Sequence, residues 1–281
     1  MRSRSLFGRR ALDLAVKAAS TLAALIALFG LGWILVEILT RGMAALNWAF
    51  FTELPTPPGM PGGGLGNAVL GTAIMTMLAT VLGVPIGLLA GIFLSEFGKD
   101  SKAATAVRFL SNVLMGTPSI IIGVFVYTVL VLPRGMFSGY AGAVALAVIM
   151  LPVVTRTTED MLSLVPNALR ESALALGAPR WRVTMGVVFR SARDGLITGA
   201  LLAIARVSGE TAPLLFTALN SPYWPESLGR PMPNLTVTIF NYAMSPFADW
   251  KAMAWGASLV IIAGVLVLAV FSRLLFKPKQ I

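Results

Sequence analysis

The chain has 281 residues, of which 57% are hydrophobic and 12% charged, and its net charge is +10. A soluble domain of this length needs a polar surface that this composition does not supply, so the sequence reads as a multi-spanning helical membrane protein; the apolar runs are continuous rather than alternating, which argues against a membrane β-barrel. With no Cys and no His, disulfides, thiolate metal sites and imidazole chemistry are excluded, and no Gly-x-x-x-x-Gly-Lys-Ser/Thr loop is present to hold nucleotide phosphates.

A helix needs about 20 apolar residues to cross the hydrocarbon core. Six segments qualify, at roughly 14–39, 66–95, 107–132, 139–163, 194–219 and 250–276. The first follows MRSRSLFGRR, but its apolar core exceeds the roughly 7–15 residues of a signal-peptide core, so it reads as a retained helix. PTPPGMPGGG (55–64) then predicts an irregular connector. The second segment carries Gly83, Gly87 and Gly91, four apart on one helix face, where small residues permit close helix approach. The third contains GTPS at 116–119, which predicts a break in the helix. Breaks at membrane depth are tolerated only against protein or a water-filled cavity, so a pathway is expected near Gly116 to Ser119. The fourth segment ends in the polar run TRTTED. Beyond the fifth, residues 220–249 carry Pro222, Tyr223, Trp224, Pro225, Pro231 and Pro233, and read as a partner surface or a solvated linker.

Among the basic residues only Arg41, Arg134, Arg230 and Lys251 fall on one side of these spans. Arg206 lies in the interior, and every other Lys and Arg falls on the opposite side, including Arg2, Arg4, Lys277 and Lys279 of the tails. Positive charge favours the cytoplasm, so both termini are expected inside. Most of the basic excess is then an orientation signal, not a nucleic-acid footprint.

The inner loop 164–193 differs in kind. Pro166 or Asn167 can start a short helix, Gly177 stops it, and a second amphipathic stretch follows from Trp181. It could rest on lipid headgroups; its glutamate, small residues and glycine fit protein contact instead. Glu171-Ser172-Ala173-x-x-x-Gly177 resembles the Glu-Ala-Ala-x-x-x-Gly loop of the ABC importer permeases. Ser172 is a small-for-small exchange, and that family's later Leu-Pro pair is absent at 187–190. TRTTEDML (155–162), VPNALRESALALGAPRW (165–181) and SGETAPLLFTA (208–218) together resemble the phosphate-importing branch of the family, over roughly residues 65–275. The resemblance implies a coupling helix in which Glu171, Ala173 and Gly177 dock on a cytoplasmic ATPase dimer, with ATP and Mg bound there and no cofactor on this chain. It also implies a second permease subunit, an external phosphate-binding protein, inorganic phosphate as cargo, and an inner-membrane location among lipid. The expected architecture is all-α, with six transmembrane helices. Residues 1–65 form the N-terminal tail, first helix and external loop, 66–276 form a five-helix permease core, and 277–281 form a cytoplasmic tail.

Arg206 and Glu210 are spaced i, i+4 and so are expected on one face of the fifth span, with Gly199, Ala203, Pro213 and Thr217. Twelve residues from Asp194 at about 1.5 Å each put Arg206 roughly 18 Å into a core about 30 Å thick. An arginine at that depth costs at least about 2.5–3.5 kcal/mol unless it faces protein, water or a counter-ion. It could form a structural ion pair with Glu210. Alternatively, its planar donors suit phosphate oxygens and cannot lose their proton, with the carboxylate keeping binding weak enough for release. Arg156 and Glu159 repeat the pairing near the inner end of the fourth span. The expectation is that Arg206 and Arg156 meet phosphate in transit while Glu210 and Glu159 compete for them. Rival readings are a permease for sulfate or molybdate and a self-sufficient proton-coupled anion carrier. The carrier is disfavoured because no internal repeat is evident. A membrane-embedded enzyme is disfavoured by the lack of His, Cys and clustered metal ligands.

Overall fold

A computed structural model describes residues 6–99 and 101–275, and all regular structure among them is helical. Arg2, Arg4, Lys277, Lys279 and the tail 277–281 lie outside the described residues. Helix α1 (Leu6–Ala45) is followed by the short α2 (Trp48–Thr52), whose first turn is capped by Asn47 Oδ1 accepting from the Phe50 amide at 2.8 Å. The connector to α3 is irregular, with Gly59, Gly62 and Gly63 at positive φ. Helix α3 (Gly66–Ile92) continues through a widened π turn at Phe93–Phe97.

Helices α4 (Lys102–Gly116) and α5 (Ser119–Val126, prolonged by a π turn to Val131) replace the expected third span by a pair bent 106°. The bend falls at the anticipated break and has a local cause. Thr117 precedes a proline, which disfavours the helical basin, and it is extended at ψ 130°. Pro118 follows at ψ 134°, so α5 must restart at Ser119.

Helix α6 (Gly139–Ser163) begins at a Ser138 cap. Helix α7 (Asn167–Ala175) lies on the surface and ends where Gly177 adopts φ +80°. After Pro179, α8 (Arg180–Val183) passes through a π turn at Thr184–Val188 into α9 (Phe189–Ser208), which is followed by α10 (Ala212–Thr217), α11 (Leu235–Ala243) and α12 (Ala248–Leu275).

Among the described residues four helices are long and apolar enough to cross a bilayer unbroken: α1, α3, α6 and α12. The fifth expected span differs. It is interrupted at Gly209–Thr211, and α9, with Arg190, Arg193, Asp194 and Arg206, is too charged to count as a crossing by composition. Pro213 explains the interruption, because its ring would clash with the carbonyl four residues back, at Gly209, in a continuous helix.

The centre of the bundle is α3 packed on α6 along the glycine stripe. A Cβ on Gly83 would lie 3.3 Å from Met150 Sδ, one on Gly87 would lie 2.8 Å from Val154 Cβ, and one on Gly91 would collide with Thr158. Met75, Ala79, Leu146, Met150 and Val154 fill the interface around it. The segment 220–249 is not a solvated linker throughout. Asn234 caps α11, donates to the Leu219 carbonyl at 3.0 Å, and Leu235, Val237 and Tyr242 are buried. At this end the two connectors meet around a cavity of about 400 Å³, bordered by Pro57, Asn67, Asn220 and Trp250.

Candidate functional site

The two broken spans pack on each other. A Cβ on Gly123 of α5 would stand 2.6 Å from Pro213 Cα of α10, so only glycine allows this approach. Beside that contact lies a cavity of about 220 Å³, bordered by Thr117, Pro118 and Ser119 of one break, Ile149 and Val153 of α6, and Arg206 and Glu210 of the other break. The expected pathway segment and the mid-span charges therefore meet at one place.

Their relation is not the one expected. Because α9 stops at Ser208, Glu210 lies past the helix end and does not share a helical face with Arg206. The two form no ion pair, and among the described residues the Arg206 guanidinium makes no hydrogen bond or salt bridge. A structural Arg206–Glu210 pair is thus absent. The break is held from α11, where Thr236 Oγ1 donates to the Glu210 carbonyl at 2.8 Å. That bond satisfies a carbonyl which the interrupted helix leaves without an amide.

Arg156 and Glu159 do not border the cavity. Arg156 does continue the α6 face that does, since Ile149, Val153, Arg156 and Asp160 follow each other at helical spacing. It stands about 4.5 Å along the axis beyond Val153. Its guanidinium lies 3.5 Å from Glu159 and 3.3 Å from Asp160. The tighter partner of Glu159 is Arg108 of α4, at 2.7 Å. The sequence counts Arg108 only among the basic residues of one side. Its position on α4, fifty-one residues from Glu159, left no spacing signal.

On the surface helix Glu171 and Gly177 are exposed, and Ala173 is half-buried against a cluster formed by Ile92, Leu162, Val183 and Leu196. Leu169 and Leu174 of this helix are exposed, Leu176 just past its end is 88% exposed and Trp181 of α8 59%, so the surface segment presents apolar side chains outward. Arg170 was also missed. It points inward and grips Glu96 of the α3 π turn with two donors, at 2.7 and 3.2 Å. No group of three potential metal ligands occurs among the described residues.

Apolar crossings, two broken helices around a cavity with an unpaired cation, and a surface helix offering apolar side chains define a multi-pass membrane permease. The chain belongs to the family of binding-protein-dependent transport system inner membrane components, whose model matches residues 83–278. It is a multi-pass inner-membrane protein. It is 48% identical over 256 residues to the phosphate transport system permease protein PstA of Yersinia pestis, covering 91% of this chain and 87% of the relative. With the PstA of Xylella fastidiosa (strain Temecula1) it shares 45% identity over 283 residues, covering 99% of this chain and 98% of the relative, so the N-terminal helix ahead of residue 83 is also matched. Its fold is similar to a chain of a bacterial alginate ABC transporter solved in complex with a pentasaccharide-bound periplasmic protein. The TM-score there is 0.67 at 13% identity, covering 98% of each chain.

Proposed function

We propose that the chain is the transmembrane permease subunit of an ATP-driven inorganic phosphate importer and forms half of the translocation pore. Its relatives' names and the chemistry of the cavity support the same reading. The observation that carries it is Arg206, an unpaired guanidinium bordering a cavity between two broken helices. The helix start at Ser119 borders the same cavity and has no side-chain cap, so its free amides add partial positive charge. An anion arriving there exchanges hydration for charge-assisted hydrogen bonds. Glu210 limits the dwell time by repelling the same anion. Arg156, on the α6 face below, is the next station and is shared with Glu159 and Asp160.

Both termini lie in the cytoplasm in this reading, and α7 is the coupling helix. Glu171, Ala173 and Gly177 belong to the segment that meets the ATPase, and Leu176 and Trp181 supply apolar contact. ATP and Mg bind to the partner ATPase dimer. A second permease subunit completes the pore, and an external phosphate-binding protein delivers the anion.

The test is uptake of labelled phosphate by the assembled importer in proteoliposomes. Arg206→Gln should lower uptake by about tenfold or more, the size of one lost hydrogen bond to a charged group, while the subunits still co-purify. Normal uptake by that variant would remove the pathway role. Uptake that follows the proton gradient and ignores ATP would favour a carrier, and equal competition by sulfate would widen the substrate to oxyanions in general.

A further inference from the structure

We infer that Arg170 and Arg108, neither of which borders the cavity, are positioning residues that tie the surface helix to Arg156 through the π turn at Phe93–Phe97. This rests on the permease reading above.

The links are continuous. Arg170, in the first turns of α7, holds the Glu96 carboxylate with two donors. It also donates to the Leu162 carbonyl at 2.8 Å and to the Val165 carbonyl, closing the end of α6 onto α7. Glu96 sits in the π turn, where the side chain is 8% exposed and also accepts from Ser95 Oγ at 3.0 Å. The same turn offers its Leu94 carbonyl to Arg108 at 3.2 Å, and Lys99 offers its carbonyl to Arg108 at 3.1 Å. Arg108 then holds Glu159, 13% exposed, whose other oxygen faces Arg156 at 3.5 Å. Every contact from one helix to the next is an ion pair or a bond to a charged donor. Both carboxylates are withdrawn from solvent, where an opposite charge is screened least and an unpaired one is costly.

The geometry of the turn matters. A π turn carries one more residue than an α turn and occurs often at functional positions. Here it lets Leu94 serve α4 while Glu96 serves α7. The glycine stripe holds α3 against α6, so a displacement of α7 is conveyed to both helices together and reaches the cation one turn beneath the cavity. The network has the contiguity that coupling requires, and its energetic reality is measurable.

The experiment uses the complete importer with its ATPase and binding protein in proteoliposomes, measuring phosphate uptake and ATP hydrolysis on the same sample. Glu96→Gln keeps the shape and the carbonyl bonds of Arg170. Arg170→Lys and Arg108→Lys keep the charge but lose the forked contacts. Each variant should assemble and hydrolyse ATP, with the ATP spent per phosphate rising about tenfold. A merely structural role would lower both activities in proportion to assembled complex. An unchanged ratio in all three variants, with uptake by the parent, overturns this inference alone. No ATP-dependent uptake by the parent overturns the permease reading, and this inference with it.

Discussion

Two arginines separated by fifty residues sit in opposite circumstances. Among the described residues Arg206 has no partner, whereas Arg156 is shared between Glu159 and Asp160 at distances longer than a tight ion pair. Glu159 in turn favours Arg108 at 2.7 Å. Removing the negative charge at Glu159 strengthens the call of Arg156 on a passing anion and loosens Arg108. Glu159→Gln should therefore lower the KM for phosphate by about tenfold and lower kcat as release slows, read from initial uptake rates over a range of phosphate concentrations. Arg206→Lys tests geometry against charge. A lysine keeps the cation but loses the planar fork, so uptake should fall below the parent yet exceed that of Arg206→Gln.

At the scale of helices, the glycine stripe makes a sharp contrast. Gly91 of α3 lies against Thr158, and the Thr155 carbonyl stands 2.7 Å from where a Cβ would be. Gly91→Leu should prevent accumulation of folded chain in the membrane, because overpacking a close helix contact costs about 1–3 kcal/mol or more. Gly116, with nothing within 4 Å, accepts alanine at normal abundance by quantitative immunoblot. The stripe and the 116–119 break were both legible, since small residues four apart and a proline after a polar residue act locally. The break at Gly209–Thr211 was equally local, written in the spacing of Gly209 and Pro213, but the apolar run on either side masked it. Asn234 and Thr236 were not legible. Their role is to satisfy carbonyls of Leu219 and Glu210, fifteen and twenty-six residues away, and only the fold brings those together. Arg170 and Arg108 escaped for the same reason, and as members of a basic side they looked like orientation signal.

For the molecule as a whole, the absence of cysteine is an experimental asset. Single-cysteine variants report sidedness against no background. Leu176→Cys should react with a membrane-impermeant maleimide only from the cytoplasmic face, and Met60→Cys only from the outside; both positions are exposed. Reversed labelling would invert the orientation drawn from charge. Only 6% of the residues in the apolar stretch of α1 are buried within the chain, so its surface is left for lipid or for a partner helix.

The paired breaks have one more consequence. Hinging a continuous helix means rupturing rungs of its amide ladder. Here two creases lie side by side, pressed together at Gly123 and Pro213, with Pro118 and Pro213 having no amide hydrogen to lose. Any hinging about that common line would leave the amide ladder of each segment intact, because the rungs it would rupture are already missing in the folded chain.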